Sequence, residues 1–248
     1  MRIFEIAAKN LKTHLEYHDT LNPKLWDSST NPPTLHPDVE EALKKVANSF
    51  LTSLKVTPDQ IKDIILIGSN CNYNWSKLSD IDLHVVLDYN KICPECEGSF
   101  DLDDCFKAKK SLWNDGHDVS IKGSNVEVYA QPETEQVSSN AGVYSLADGQ
   151  WVREPTKEED LVYDEKDIKR KAKKLMDEID SVIKDGNTNE TTVKNLQDKI
   201  KKMRKASIAK GGEFSLENLV YKTLRNNGYM DKLYDFAANL EDKDLSLK

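Results

Sequence analysis

From Ile81 to Leu87 apolar and polar residues alternate, with Ile81, Leu83, Val85 and Leu87 on one side of an extended chain and Asp80, Asp82 and His84 on the other. The pattern predicts a half-buried strand that carries two carboxylates side by side at its start. The apolar run Ile64 to Ile67 predicts an earlier strand, ending at the tight turn Gly68-Ser69. Two further alternating runs, around Gly123-Ser124-Asn125, predict a hairpin over 118–131. Glu127 lies inside its second run, on the face opposite Val126 and Val128. A looser hairpin is expected at 142–145 and 149–153, closing at Pro155.

Elsewhere the apolar spacing is three and four. Ile3, Ile6, Ala7 and Leu11 predict a short helix over 3–14, and Val39, Leu43, Val46 and Phe50 a longer one over 37–54. Between them, residues 19–37 are rich in Asn, Pro, Ser and Thr and read as a loop anchored by Trp26 and Leu35. Thr57-Pro58-Asp59 opens one helical turn before the first strand. Residues 101–115 read as a helix with Leu102, Phe106 and Leu112 or Trp113 on its apolar side. Beyond Pro155 every stripe is helical: Ile168, Ala172, Leu175, Ile179 and Val182, then Val193, Leu196, Ile200 and Met203. Asp185-Gly186-Asn187 separates these two and predicts antiparallel partners. A third helix starts at Leu216, capped by Ser215 and ended by Asn227-Gly228, and Met230, Leu233, Phe236 and Leu240 mark a fourth. The expected fold class is α/β in the α+β sense, a small mixed sheet flanked by helices with a C-terminal helical bundle. Its expected domains are 1–155 and 156–248, the second packed against the first.

Composition narrows the class. The 248 residues are 38% hydrophobic and 31% charged, a polar chain that still has the length to bury a core. No apolar run reaches membrane-spanning length, and Met1-Arg-Ile-Phe-Glu lacks an apolar signal core, so a cytoplasmic protein is expected, with no membrane partner. Four cysteines are too few for a disulfide scaffold at this length. Cys93-x-x-Cys96 with Cys105 has partial zinc-ligand character, but a closed site needs four ligands. Net charge is −8, yet residues 166–210 hold 14 Lys/Arg against 7 Asp/Glu, a local +7 that leaves −15 on the rest. An acidic body with a basic segment suits metal binding in one part and phosphate contacts in another, although lysine-rich helices are more often simply solvated.

Adjacent carboxylates repel unless a cation sits between them, which points to a divalent metal at Asp80 and Asp82. Gly-Ser, ten intervening residues and Asp-x-Asp, set between two apolar strands, resembles the signature of nucleotidyltransferases of the DNA polymerase β superfamily. Val126-Glu-Val-Tyr-Ala-Gln131, Gly142-Val-Tyr-Ser145 with Trp151, and the stretch Gly212 to Arg225 resemble predicted nucleotidyltransferases encoded by large bacteriophages, which would place the protein in the host cytoplasm. The resemblance implies the superfamily fold, Mg²⁺ (or Mn²⁺) as cofactor, and a nucleoside triphosphate, ATP among them, as substrate. It implies transfer of a nucleoside monophosphate to an acceptor that the sequence leaves open: an RNA end, a protein, a small molecule or a second nucleotide. The expected catalytic and metal-binding residues are Asp80, Asp82 and Glu127, with Asp88 next in line for the third position. The expected nucleotide-binding residues are Gly68, Ser69, Lys222 and Arg225. A non-catalytic nucleotide- or RNA-binding module, or a regulatory protein binding a host partner, is the alternative. His84 and His117 read first as packing or hydrogen-bonding residues, and Tyr144 and Trp151 as core aromatics before base-stacking ones.

Overall fold

The computed structural model describes residues 17–92, 102–135, 137, 141–157 and 164–246. The helix expected over 3–14 and the pair Cys93 and Cys96 lie outside the described residues. The chain divides into two compact units, meeting in sequence between residues 157 and 158.

The first unit begins with a ribbon the sequence reading took for loop. Strands β1 (Trp26–Asp27) and β2 (Thr34–Leu35) pair antiparallel and bury Trp26 and Leu35. Helix α1 (Pro37–Leu54) follows, with proline in its first turn and Asp38 and Glu40 placed to complement the helix dipole. It ends at Lys55 in the left-handed conformation, φ 60°. Val39, Leu43, Ala47 and Phe50 make its buried stripe. A 3-10 turn, Pro58–Gln60, leads directly into β3 (Ile61–Ile67), three residues longer than the apolar run alone suggests. Next come β4 (Ile81–Leu87), the single turn α2 (Tyr89–Ile92), α3 (Leu102–Gly116), β5 (Ser120–Ile121), β6 (Ser124–Pro132), β7 (Val143–Ser145) and β8 (Gln150–Arg153).

Six of these strands form one mixed sheet in the order β5-β6-β4-β3-β7-β8. Only β4 and β6 run parallel; the intervening chain, with α3, is long enough for the crossover that parallel neighbours require. Burial along β4 alternates strictly, Ile81, Leu83, Val85 and Leu87 being buried and Asp82, His84 and Val86 half-buried. The buried side joins α1 and α3 in one core, where Phe50 meets Trp113 edge-on at 5.8 Å. Tyr144 is 1% exposed, Trp26 lies edge-on to it, and Trp151 stacks on Trp26 at 4.6 Å while donating to the Pro33 carbonyl. Tyr144 is a core aromatic, and the half-buried Trp151 packs against the same core.

The second unit contains α4 (Glu165–Lys184), α5 (Glu190–Gly211), α6 (Leu216–Asn226) and α7 (Tyr229–Leu245) around a core of Ile168, Met176, Ile179, Val193, Ile200, Val220 and Leu233. The expected direct pairing of α4 with α5 is slight; α6 packs against both more extensively than they do against each other. Its apolar stripe Leu219, Val220 and Leu224 is buried, and Glu217 binds Lys171 of α4 and Ser207 of α5. Ser215 does not cap α6 with its side chain, and its buried hydroxyl has no hydrogen-bond partner among the described residues. Several lysines of the basic segment are engaged in ion pairs within the unit, Lys199 with Glu178 and Lys173 with Asp177. Among the described residues no helix is long and apolar enough to cross a membrane.

Candidate functional site

The antiparallel pairing of β3 and β4 brings the end of one strand to the beginning of the next, with Ile67 opposite Asp82. Parallel pairing of β4 and β6 brings a second strand to the same edge, with Asp82 opposite Glu127 and His84 opposite Tyr129. Partners in a parallel ladder point to the same face, and neighbouring strands lie about 4.8 Å apart. The two acids are therefore neighbours on the open face of the sheet. Asp80 stands just before β4, where the Asn70 amide donates to its carbonyl at 2.9 Å and to that of Ser79 at 3.1 Å. Asp88 is excluded as third acid: it lies beyond Leu87, at the other end of β4, and pairs with Lys62 at 3.1 Å. It stands six positions along the chain from Asp82, about 20 Å in an extended strand.

Gly68 is required by contact as well as by conformation. Its φ is 81° and ψ −167°, a region that side-chain-bearing residues essentially avoid, and a Cβ built on it would lie 1.8 Å from Asp82 Oδ2. The turn that follows is a single 3-10 turn, Ser69–Cys71. Ser69 Oγ donates to Ser79 Oγ at 2.8 Å, an internal commitment that the sequence reading assigned to phosphate. Asn70 is 2% exposed and accepts from Asn22, while its carbonyl accepts from the Trp26 indole. Asn72 Nδ2 donates to the Gly68 carbonyl at 2.6 Å and its Oδ1 accepts from Gly142 N. Asn70 fastens the Gly-Ser turn to the segment that leads into β4, and Asn72 ties it to the residue before β7. Their partners lie up to 70 residues away, and sequence reasoning missed them.

Electrostatics agrees with the register. Burial pushes the Tyr129 phenol well up, helped by its hydrogen bond to Glu127 Oε2 and by the charges of Glu127, Asp82 and Asp80. One hydroxyl thus feels all three expected acids. Burial, followed by the Asp82 charge, raises the Cys71 thiol. Lys110 of α3 lies over the Tyr129 ring at 3.7 Å; burial lowers its pKa while Glu127 and Asp82 oppose the shift. On the ring's neighbour, burial lowers His84 to about 4 despite the bond between its Nδ1 and the Gln131 amide oxygen.

That shift has a stability consequence. A histidine titrating at about 4 when folded and near 6.5 when unfolded binds more protons in the unfolded state throughout that window. Its contribution is complete above pH 6.5 and declines as pH falls, with about 2 kcal/mol gone by pH 5. Urea unfolding of the wild type in EDTA should show this loss between pH 7 and 5, before carboxylates dominate. His84→Asn, which cannot titrate, should show a nearly flat profile there; an equal slope in both proteins would refute the assignment.

As donors, three carboxylates match a hard divalent cation. Among the described residues no three His, Cys, Asp or Glu side chains form a ready-made metal cage. Mg²⁺ does not need one, because it commonly takes one or two carboxylates and completes its octahedron with water and substrate phosphates. The Asp82–Glu127 register provides that minimum, so the residues fit the group. Beside Glu127 a cavity of about 490 Å³ is lined by His117, Asp118 and Asn125 among others. His117 stacks on Trp113 at 4.1 Å, its Nδ1 held by the Trp113 carbonyl. Lys222 and Arg225 lie on α6 of the other unit, half-buried and exposed respectively.

No protein-family model matches the chain. No curated protein matches it either. Among solved structures, the cyclic dinucleotide synthase CdnE of Elizabethkingia meningoseptica, with GTP and Apcpp, is similar at 14% identity over 81% of this chain and 75% of that one, with a TM-score of 0.25. A likeness of that size carries no functional weight, and the chemistry rests on this chain's own side chains.

Proposed function

We propose that the protein is a metal-dependent nucleotidyltransferase that moves a nucleoside monophosphate from a nucleoside triphosphate to a hydroxyl acceptor. The observation that supports this most directly is the register of Asp82 with Glu127, with Asp80 immediately before the same strand. In the reaction the acceptor oxygen bonds to the α-phosphorus, the bond from that phosphorus to the bridging oxygen breaks, and pyrophosphate leaves. The hydroxyl proton passes to solvent or a nearby base. Mg²⁺ or Mn²⁺ held by Asp82 and Glu127, with Asp80 close by and water and substrate phosphates completing its shell, would neutralise phosphate charge and acidify the attacking hydroxyl. Gly68, lacking a side chain, leaves the space that the Asp82 carboxylate occupies against the end of β3. The cavity at Glu127 falls in the volume range of small-molecule sites.

The test is to incubate the protein with each α-labelled nucleoside triphosphate, Mg²⁺ or Mn²⁺, and total cell extract. Metal-dependent pyrophosphate release with label in RNA, protein or a small molecule is the expected result, and the labelled fraction names the acceptor class. Nucleotide binding without pyrophosphate release under any condition would instead make the protein a binding module.

A further inference from the structure

Resting on the reading above, we propose that Tyr129 is a positioning residue, whose hydroxyl holds one oxygen of Glu127 and so presents the other toward the cation or hydroxyl shared with Asp82. Tyr129 and Glu127 are two apart on β6 and share a face, and the phenol donates to Glu127 Oε2. A free glutamate turns about three side-chain bonds; a charge-assisted bond to one oxygen removes most of that freedom.

The ring is itself fixed. Tyr129 stands opposite His84 in the parallel ladder, and their rings stack at 4.5 Å with 13° between planes. The Lys110 ammonium lies over the Tyr129 ring at 3.7 Å. The imidazole is held in turn by Gln131, 5% exposed, whose amide oxygen accepts from Nδ1. A continuous chain of contacts therefore runs from Gln131 through His84 and Tyr129 to Glu127. A buried phenol needs some partner in any protein, but here the partner is the acid that stands opposite Asp82.

The variant Tyr129→Phe removes only the hydroxyl and leaves the stacked ring. Mn²⁺ binding to the nucleotide-free protein, followed by electron paramagnetic resonance, should weaken about 10- to 100-fold, the usual cost of losing a group that orients a metal ligand. The single-turnover transfer rate should fall by a similar factor, with the urea midpoint close to wild type. In a Glu127→Gln background the same change should add nothing, because Tyr129 acts through the carboxylate. Unchanged Mn²⁺ affinity in Tyr129→Phe, or losses that add fully in the double variant, would overturn the proposal while leaving the catalytic reading intact. Wild-type protein that binds no Mn²⁺, with Asp82→Asn indistinguishable from it, would remove the metal site and this inference together.

Discussion

Gly68→Ala should abolish nucleotidyl transfer at a modest cost in stability. The added methyl would fall 1.8 Å from Asp82 Oδ2 and 2.9 Å from the carboxyl carbon, so the carboxylate must move. The backbone at φ 81° and ψ −167° also disfavours any side chain, at roughly 1–3 kcal/mol. Relaxing either problem pushes the acid away from the end of β3 or tilts the turn that Asn70 and Asn72 hold. A displacement near 1 Å at a reacting centre can itself cost about 10²-fold. Losing a properly placed metal ligand adds several kcal/mol of lost charge stabilisation, so a combined fall of about 10³-fold or more in kcat/KM is expected. Urea unfolding should register only the backbone cost. Substantial activity in Gly68→Ala would mean that Asp82 does not work from its present position.

The strand pattern was readable because its causes are local. Alternation alone places Asp82 and His84 on one face of β4, and an acid between Val126 and Val128 marks Glu127 without knowledge of its neighbours. That β6 lies parallel to β4, with Glu127 level with Asp82, depends on the crossover through α3 and is invisible in either segment taken alone. The two-residue strands at Trp26 and Leu35 were missed because their pairing is not visible in the hydrophobic period of so short a stretch. Ser69 was legible as a turn residue but not as the partner of Ser79, and Ser215 looked like a cap from position alone. Lys110 carried no signal whatever, being one more lysine on a charged helix until the β6 edge brings Tyr129 beneath it. Propensity and period report neighbours along the chain; the site consists of neighbours across it.

Asp82→Asn should separate function from folding more cleanly than any other single change. Asparagine keeps the volume of aspartate and one carbonyl-type oxygen, but not the charge. The residue is half-buried on the open face, away from the apolar core that Leu83 and Val85 complete. Losing a charge from a face that also carries Asp80 and Glu127 relieves like-charge repulsion, which offsets any weakened hydrogen bond. The unfolding free energy should therefore stay within about 1 kcal/mol of wild type. Function should not survive. Removing the carboxylate that stands level with Glu127 costs several kcal/mol of transition-state stabilisation, about 10²- to 10⁴-fold in rate. The two effects meet in thermal unfolding with added Mn²⁺. A ligand at 100 times its Kd stabilises the wild type by about 2.7 kcal/mol, and that increment should vanish in Asp82→Asn while the metal-free midpoint hardly moves. A variant that keeps the Mn²⁺ increment would show the cation bound elsewhere, and one that unfolds outright would show Asp82 to be structural.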